Sequence, residues 1–431
     1  MKKVLLLSYY YPPYTGIEGN RIHSWANSLS SNGFSVSVIT RHWKSGGQHE
    51  WKDYYNEYDE KDLSKERVNE NLSVIRVPYK WTRSFKKLST TKLSSSFYWI
   101  NKLFGHFHIE TNAYYALKNI ASQELEREKF NFIIVSSPPV NLIRLGVYLK
   151  KRFHVPLVTD FRDSYNNQLL APGYVPARKR RIELFLFRRS LKKWLVHADV
   201  ISSVSEEVLQ TLPFCSPSKK LIVMNGFEED HKLLKNQFHD RRQELFIISV
   251  VGNLYAHQEI NFMVEGLDKF IRRMGPDKLL IRFVGLKSRD VVRSAIEKVI
   301  DNKYLQFTER VLRPVALEFM HSSSILLDVG WKGYKGVCAG KVLEYLAVGK
   351  NILLAPGDGD LTDRIIAETK AGRSVQTVEE MEEYLCQKYQ EWLQHGTLSY
   401  GGIPEKLNKY SRKNQNMILV DRLKNFEVLS S

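Results

Sequence analysis

A lysine and a glutamate three residues apart stand at the start of a short predicted helix between Gly336 and Ile352. Lys341 lies in the first turn of that helix, and Glu344 lies one turn on, on the same face. A helix N-terminus with a lysine suits a diphosphate, and a carboxylate one turn deeper suits a pair of ribose hydroxyls. Exposed lysine–glutamate pairs have the same spacing, so the pattern by itself leaves that alternative open.

Three charged residues within four positions follow a predicted strand at Pro156–Thr159. Asp160, Arg162 and Asp163 would lie at its carboxyl end, where parallel α/β sheets bind their ligands. An arginine between two carboxylates gives a pre-oriented group that binds hydroxyls or positions a base, so we predict catalytic roles for all three residues. An Asp–Arg bridge that only closes the loop is the structural alternative.

Two loops that contain glycine lie between a predicted strand and a predicted helix. Gly16 and Gly19 follow the first strand, and Gly252 and Asn253 follow a strand at Phe246–Val251. Glycine lets the backbone approach a phosphate closely, and a helix N-terminus offers unpaired N–H groups. We predict that both loops bind the donor, although neither matches a dinucleotide fingerprint or a P-loop and ordinary turns remain possible.

Short apolar runs alternate with amphipathic segments along the whole chain of 431 residues. The alternation of strand and helix predicts parallel sheets covered by helices on both faces, arranged as two doubly wound α/β domains. We predict an N-terminal domain at residues 1–215 and a C-terminal domain at residues 216–405, whose first strand is Leu221–Met224. Residues 44–70 are rich in glycine and charge, which indicates an insertion.

Basic residues are concentrated in the first half of the chain. Residues 1–220 contain 34 Lys and Arg and 19 Asp and Glu, a net charge of +15 out of the total of +17. This excess predicts an anionic partner such as phospholipid head groups, lipid diphosphates or nucleic acid, or else a generally basic protein. The apolar share is too high for a disordered chain, and no apolar run is long enough to span a membrane.

The three cysteines are widely separated, and the histidines lack the spacing of a metal site. These features exclude a disulfide framework and favour a cytoplasmic protein without a metal.

A basic amphipathic helix is predicted between residues 178 and 195. Leucine and aromatic residues interleave with its basic residues, a pattern typical of a helix that lies on an anionic membrane. The basic residues that we assign to this membrane or acceptor face are Arg178, Lys179, Arg180, Arg181, Arg188, Arg189, Lys192 and Lys193. A helix whose apolar side is core and whose basic side is only solvated is the alternative.

Several of these segments resemble, in their order, a bacterial glycosyltransferase of family 4 with the GT-B fold. The resemblance covers nearly the whole chain, and its most specific block runs from Glu344 to Lys350. The segments that carry it are Tyr10–Gly16, Asp160–Asp163, His197–Glu206, Asn225–Phe227 and Lys341–Lys350.

The resemblance implies a retaining transfer of a sugar from a nucleotide-sugar, without a metal or other cofactor. It implies that the second domain binds the nucleotide, that the first binds the acceptor, and that a terminal helix within residues 406–431 crosses back to the first domain. Glu344 matches the ribose-binding glutamate of the family, and Lys341 is placed to meet the diphosphate.

The chain departs from the family at several donor-binding positions. Gly336 stands where many members have a glutamate that meets the donor sugar, and Asn253 stands where arginine is common. Gln258 and Glu259 replace an expected lysine, which leaves Lys341, backbone N–H groups, or a basic residue such as Arg310 or Arg313 to bind the diphosphate. These departures favour a divergent branch that acts in surface-polysaccharide assembly.

The predicted function is therefore transfer of a sugar to a lipid-linked or polysaccharide acceptor in cell-surface glycan biosynthesis. The predicted partners are a nucleotide-sugar donor, a lipid-linked glycan acceptor and an anionic membrane surface, with no nucleic acid. The predicted location is the cytoplasm, at the inner face of the membrane. A GT-B isomerase of nucleotide-sugars and a non-catalytic protein that binds anionic ligands are the alternatives.

Overall fold

The computed structural model describes residues 1–43, 62–78, 113–164, 178–229, 244–286 and 291–426, except for the side chains of residues 17, 18, 113, 178–180 and 183. Within these ranges the chain forms two compact units. The first contains Met1–Met224 and Asn416–Ser431, and the second contains Asn225–Gln415.

The described part of the first unit is built on an eight-stranded sheet in the order β3-β4-β2-β1-β5-β6-β7-β8. All neighbouring strands are parallel except β3 and β4. The strands are β1 (Lys2–Leu7), β2 (Phe34–Arg41), β3 (Ser64–Asn69), β4 (Leu72–Val77), β5 (Phe132–Ser137), β6 (Leu157–Phe161), β7 (Val200–Ser203) and β8 (Lys220–Ile222). The helices are α1 (Ile17–Ser31), α2 (Ala113–Arg127), α3 (Asn141–Phe153), α4 (Arg178–Leu195) and α5 (Glu206–Thr211).

From Val4 to Leu7, strand β1 is buried on both faces, which explains the unbroken apolar sequence of these four residues. Leu5 and Leu7 belong to one core cluster, whereas Val4 and Leu6 belong to another. Successive side chains of a strand point to opposite faces, so the two clusters lie on opposite sides of the sheet. Parallel sheets covered on both faces have such continuous apolar strands.

The described part of the second unit has a six-stranded parallel sheet in the order β11-β10-β9-β12-β13-β14. The strands are β9 (Phe246–Val251), β10 (Leu279–Val284), β11 (Leu305–Thr308), β12 (Ile325–Asp328), β13 (Asn351–Leu354) and β14 (Gly372–Ser374). The helices are α6 (Ile260–Met274), α7 (Val291–Glu297), α8 (Arg313–His321), α9 (Gly340–Val348), α10 (Leu361–Thr369), α11 (Val378–His395), α12 (Pro404–Asn408) and α13 (Arg412–Lys424), which continues into the first unit. The order of strand addition reverses between β9 and β12, the point at which open α/β sheets bind ligands.

The boundary between the units lies after Met224 rather than at the predicted residues 215–216. From the sequence we expected Leu221–Met224 to be the first strand of the second domain, and this expectation was wrong. Lys220 of β8 pairs with Ile201 of β7, so this short strand forms an edge of the first sheet. A short apolar run has the same sequence pattern whichever sheet it joins, so the sequence alone does not show with which strand it pairs.

The end of α13 packs in the first unit. The Asn416 amide donates to the Ser24 carbonyl (3.2 Å) and to the Ser28 hydroxyl (2.9 Å) of α1. Leu419 and Leu423 are buried in the same core cluster as Val4. Their spacing of four residues gives the helix one apolar stripe, which attaches the chain terminus to the sheet. Residues 406–415 instead belong to the second unit.

Candidate functional site

Lys341 lies in the first turn of α9 and contacts the carboxyl ends of two neighbouring strands. Its ammonium is 2.5 Å from Asp328 Oδ1 at the end of β12, and it donates to the Asn253 carbonyl (3.1 Å) after β9. The side chain of Lys341 is only 13% exposed. The structure therefore brings Lys341 and Asn253 together at the reversal point of the second sheet.

Gly252 is a second predicted residue at this point, and the structure gives two reasons for glycine there. Its φ of +113° lies in the region that residues with a side chain rarely adopt. A Cβ on Gly252 would also lie 3.3 Å from Cδ of Lys341. The lysine side chain thus packs directly over the glycine.

Asp328 was not predicted from the sequence, yet it is the closest charged partner of Lys341. Its carboxylate is 1% exposed. Burial raises the pKa of Asp328, and the nearby Lys341 ammonium opposes that rise. Asp328 ends an apolar strand, and its position beside Gly252 depends on the pairing of β12 with β9, which a single sequence does not reveal.

Glu344 and its neighbour Tyr345 connect α9 to two further elements. The Tyr345 hydroxyl accepts a hydrogen bond from the Val251 N–H (2.8 Å) and donates to the Val251 carbonyl (3.2 Å). Glu344 accepts a hydrogen bond from Arg313 (3.0 Å) at the start of α8. Lys341 and Glu344 therefore each have a charged partner outside their own helix.

Gly16 and Gly19 lie in the first unit, at the start of α1. Gly16 is the residue before the helix, with an extended backbone. A Cβ on Gly19 would lie 3.0 Å from the Tyr14 carbonyl, so close packing of the loop accounts for glycine there. The predicted donor-binding role of both glycines stays a prediction.

Asp160 is fully buried at the end of β6 and is bonded on both carboxylate oxygens. Arg21 of α1 donates from Nε to Oδ2 (3.1 Å) and from a terminal nitrogen to Oδ1 (2.9 Å). Ser136 and Ser202 donate to Oδ2 (3.1 Å) and Oδ1 (2.9 Å), respectively. Asp160 thus joins α1 to three neighbouring strands. Arg21 is a partner that we did not predict, because it lies 139 positions away in sequence.

Arg162 and Asp163 form a separate pair in the loop after β6. Arg162 Nε donates to Asp163 Oδ2 (2.8 Å). The Asp163 side chain is 56% exposed, whereas that of Asp160 is 0% exposed. The sequence placed one arginine between two carboxylates, and the structure pairs Asp160 with Arg21. The catalytic roles of all three predicted residues stay predictions.

Helix α4 buries part of its apolar surface and exposes the rest. Leu184, Leu191 and Leu195 are buried in the first unit. Ile182 and Phe185 are 55% and 63% exposed. The exposed predicted basic residues are Arg181, Arg189, Lys192 and Lys193.

The four other basic residues of α4 that we predicted to face a membrane or acceptor are not among these exposed residues. Arg188 is half-buried and donates to the Thr211 carbonyl (2.9 Å). The side chains of Arg178, Lys179 and Arg180 lie outside the described residues.

In the described part of the chain, no helix is long and apolar enough to cross a membrane. Nor do the described residues contain three or more His, Cys, Asp or Glu side chains grouped to hold a metal ion.

Comparison with solved protein structures identifies the fold of the chain. The sequence matches no protein-family model, and it matches no curated protein. Among solved structures, it is similar to HepE of Anabaena in complex with UDP, with 12% identity, a TM-score of 0.57, and coverage of 99% of this chain and 100% of that chain.

Two other solved structures are similar over nearly their whole length. A UDP-forming α,α-trehalose-phosphate synthase from Burkholderia vietnamiensis has 12% identity and a TM-score of 0.60, with 100% of this chain and 98% of that chain covered. WaaG, a glycosyltransferase involved in lipopolysaccharide biosynthesis, has 14% identity and a TM-score of 0.54, with 99% and 96% covered. The predicted fold class is confirmed: the chain has two parallel α/β sheets and the GT-B fold.

Proposed function

We propose that the protein is a retaining glycosyltransferase of family 4 that takes a sugar from a nucleotide-sugar donor. The acceptor in this proposal is a lipid-linked or polysaccharide glycan of the cell surface. The observation that carries the proposal is the position of Lys341, which is held between Asp328 and the Asn253 carbonyl at the N-terminus of α9. The similar GT-B structures support it, since they include HepE in complex with UDP and WaaG, a glycosyltransferase involved in lipopolysaccharide biosynthesis.

The donor site would work by electrostatic stabilisation of the leaving diphosphate. The Lys341 ammonium has three N–H donors. Among the described residues, two of them face Asp328 and the Asn253 carbonyl, and the third can donate to a phosphate oxygen. The first N–H groups of α9 add partial positive charge beside it. Such preorganised donors stabilise negative charge that develops on a leaving group. Neither a metal nor another cofactor is part of this proposal.

Glu344 would bind the ribose of the donor. Its carboxylate accepts from Arg313 and is partly exposed, and carboxylate oxygens accept hydrogen bonds from ribose hydroxyls. Arg313 would keep the carboxylate in place while the nucleotide binds. Lys341 and Glu344 are one turn apart, which matches a ligand with a phosphate next to a ribose.

In the first unit, Asp163 is the carboxylate that we propose to contact the acceptor. Asp160 already accepts four hydrogen bonds and is fully buried, so we assign it to positioning the ends of α1 and β6. Asp163 is more than half exposed and is oriented by Arg162. This arrangement suits hydrogen bonding to an acceptor hydroxyl.

The membrane part of the proposal rests on α4. Its exposed face combines Ile182 and Phe185 with basic side chains. Apolar residues beside lysine and arginine suit the surface of an anionic membrane, and each basic residue there contributes about 1 kcal/mol. We therefore propose that the enzyme works in the cytoplasm, at the inner face of the membrane, on a lipid-linked acceptor.

The test is transfer of radiolabelled sugar from a panel of nucleotide-sugars to the lipid and polysaccharide fractions of bacterial membranes. We expect one donor to label the lipid fraction, with loss of labelling in Lys341→Ala. The matched control is Lys269→Ala, which removes a partly exposed lysine of the same unit that is paired with Glu379. Consumption of the donor without any labelled acceptor would instead favour an isomerase.

A further inference from the structure

Four aromatic side chains form a cluster in the loops that follow β9 and β12, here called the aromatic patch. Trp331 lies at its centre. Its ring centroid is 5.5 Å from that of Tyr255, 5.2 Å from that of His257 and 5.8 Å from that of Tyr334. These separations are within the range of favourable aromatic contacts.

The aromatic patch is directed to solvent rather than to the core. Tyr255 is 44% exposed, His257 is exposed, and Trp331 and Tyr334 are half-buried. None of the four belongs to the core cluster of the second unit, although the adjoining Leu254 does. Exposed aromatic groups of this kind mark binding surfaces more often than isolated surface residues do.

A buried glutamine holds the two loops of the patch together. Gln258 is 8% exposed. Its side chain accepts from the Tyr255 N–H (2.9 Å) and donates to the Val329 carbonyl (2.7 Å), which follows β12. The rings are therefore preorganised, which lowers the entropic cost of binding a ligand to them.

The patch adjoins the residues that hold Lys341. Asn253 and Asp328, the two partners of Lys341, precede Tyr255 by two residues and Trp331 by three. Glu344 is paired elsewhere, with Arg313 of α8. The loops that carry the aromatic patch therefore also hold Lys341, the proposed diphosphate-binding residue, and the sugar of a nucleotide-sugar is attached to that diphosphate.

We propose that the aromatic patch binds the sugar group of the donor by stacking. This inference rests on the proposed function. The apolar C–H face of a pyranose ring packs well on the electron-rich face of an aromatic ring. At the edge of the patch, Lys332 and Glu259 form an exposed ion pair (3.5 Å), which offers donors and acceptors to sugar hydroxyls.

A charged margin fits a sugar better than a lipid chain, which would require apolar surroundings. The patch therefore deepens the proposal by assigning the donor-sugar subsite to Tyr255, His257 and Trp331.

The experiment compares each nucleoside diphosphate with its nucleotide-sugar by calorimetry. The pairs are UDP with UDP-glucose, GDP with GDP-mannose, and ADP with ADP-glucose, and the pair that the wild type binds is carried forward. Tyr255→Ala and His257→Ala remove exposed rings. Tyr255→Phe keeps the ring, and Tyr115→Ala removes a ring of the first unit that is 55% exposed.

We expect Tyr255→Ala and His257→Ala to weaken the nucleotide-sugar roughly two- to tenfold and to leave the nucleoside diphosphate unchanged. Tyr255→Phe and Tyr115→Ala should bind both ligands as the wild type does. Equal weakening of both ligands, no change in either, or an effect confined to the KM of the acceptor would each overturn the inference. A wild type that binds neither any of the six ligands nor CMP would overturn the proposed function itself.

Discussion

Replacement of Asp160 by alanine should destabilise the first unit strongly. The Asp160 carboxylate is 0% exposed, and Arg21 is 2% exposed. The substitution removes two hydrogen bonds from the guanidinium and two from serine hydroxyls, and it leaves a buried arginine without its carboxylate. Loss of one partner from a buried ion pair costs about 3–5 kcal/mol.

A loss of that size is large compared with the stability of a domain. For a unit of this length, 3–5 kcal/mol lowers the melting temperature by roughly 6–20 °C. Urea denaturation followed by fluorescence measures the free energy of unfolding, with the transition of the first unit treated separately. Asp160→Asn should cost less because it keeps the shape of the side chain and one acceptor oxygen.

Two controls distinguish a structural role of Asp160 from a catalytic one. Asp163→Ala removes a carboxylate that is 56% exposed and should change stability by less than about 1 kcal/mol. The double variant Arg21→Met/Asp160→Ala should lose less than the sum of its single variants, because no buried charge remains unpaired. If Asp160→Ala unfolds like the wild type but has no transferase activity, the structural reasoning is refuted.

Three further results are expected. Gly252→Ala should lower stability by about 1–3 kcal/mol in thermal unfolding and weaken nucleotide binding in calorimetry, because of its positive φ and the Lys341 side chain above it. Phe185→Ser should reduce the fraction of the protein that sediments with anionic vesicles, because an exposed aromatic ring of α4 is lost. Hydrogen bonding from Tyr410 lowers the pKa of Glu368, so stability from this pair is present above pH 4.5 and is lost as pH falls through the lowered pKa. Tyr410→Phe should therefore reduce the dependence of unfolding on acid pH in a urea titration.

Each of these results has a control. Gly275→Ala also changes a glycine with positive φ, but its Cβ would meet nothing within 4 Å, so it should lower stability without weakening nucleotide binding. Leu393→Ser changes an exposed apolar residue of the second unit and should not affect vesicle binding. Equal acid sensitivity of the wild type and Tyr410→Phe would show that the hydrogen bond to Glu368 does not contribute.

The sequence was sufficient for the strongly apolar elements of the fold. The strand at Phe246–Val251 begins and ends where it was predicted. Its apolar run is mostly buried in a parallel sheet, where hydrophobicity identifies a strand. Strand β3, Ser64–Asn69, was missed within the predicted insertion, because it is a polar, mostly exposed edge strand with no apolar pattern.

The candidate site was predictable where it depends on the ends of strands. Gly252, Asn253 and Lys341 meet because loops after neighbouring parallel strands share one edge of the sheet. The pairing of Lys341 with Asp328 and that of Asp160 with Arg21 were not predictable, because they are set by strand order and by contacts between distant segments. A charged residue at the end of a buried strand is the signal that would have indicated Asp328.

Lys341 and Glu344 together form the proposed nucleotide site. Nucleotide binding to this site is measured by calorimetry with UDP, GDP, ADP and CMP on the wild type, Lys341→Ala and Glu344→Ala, with Lys269→Ala as the control. We predict that the wild type and the control bind one nucleotide and that both site variants lose it. Binding of the same nucleotide with unchanged affinity in Lys341→Ala and Glu344→Ala would contradict the claim.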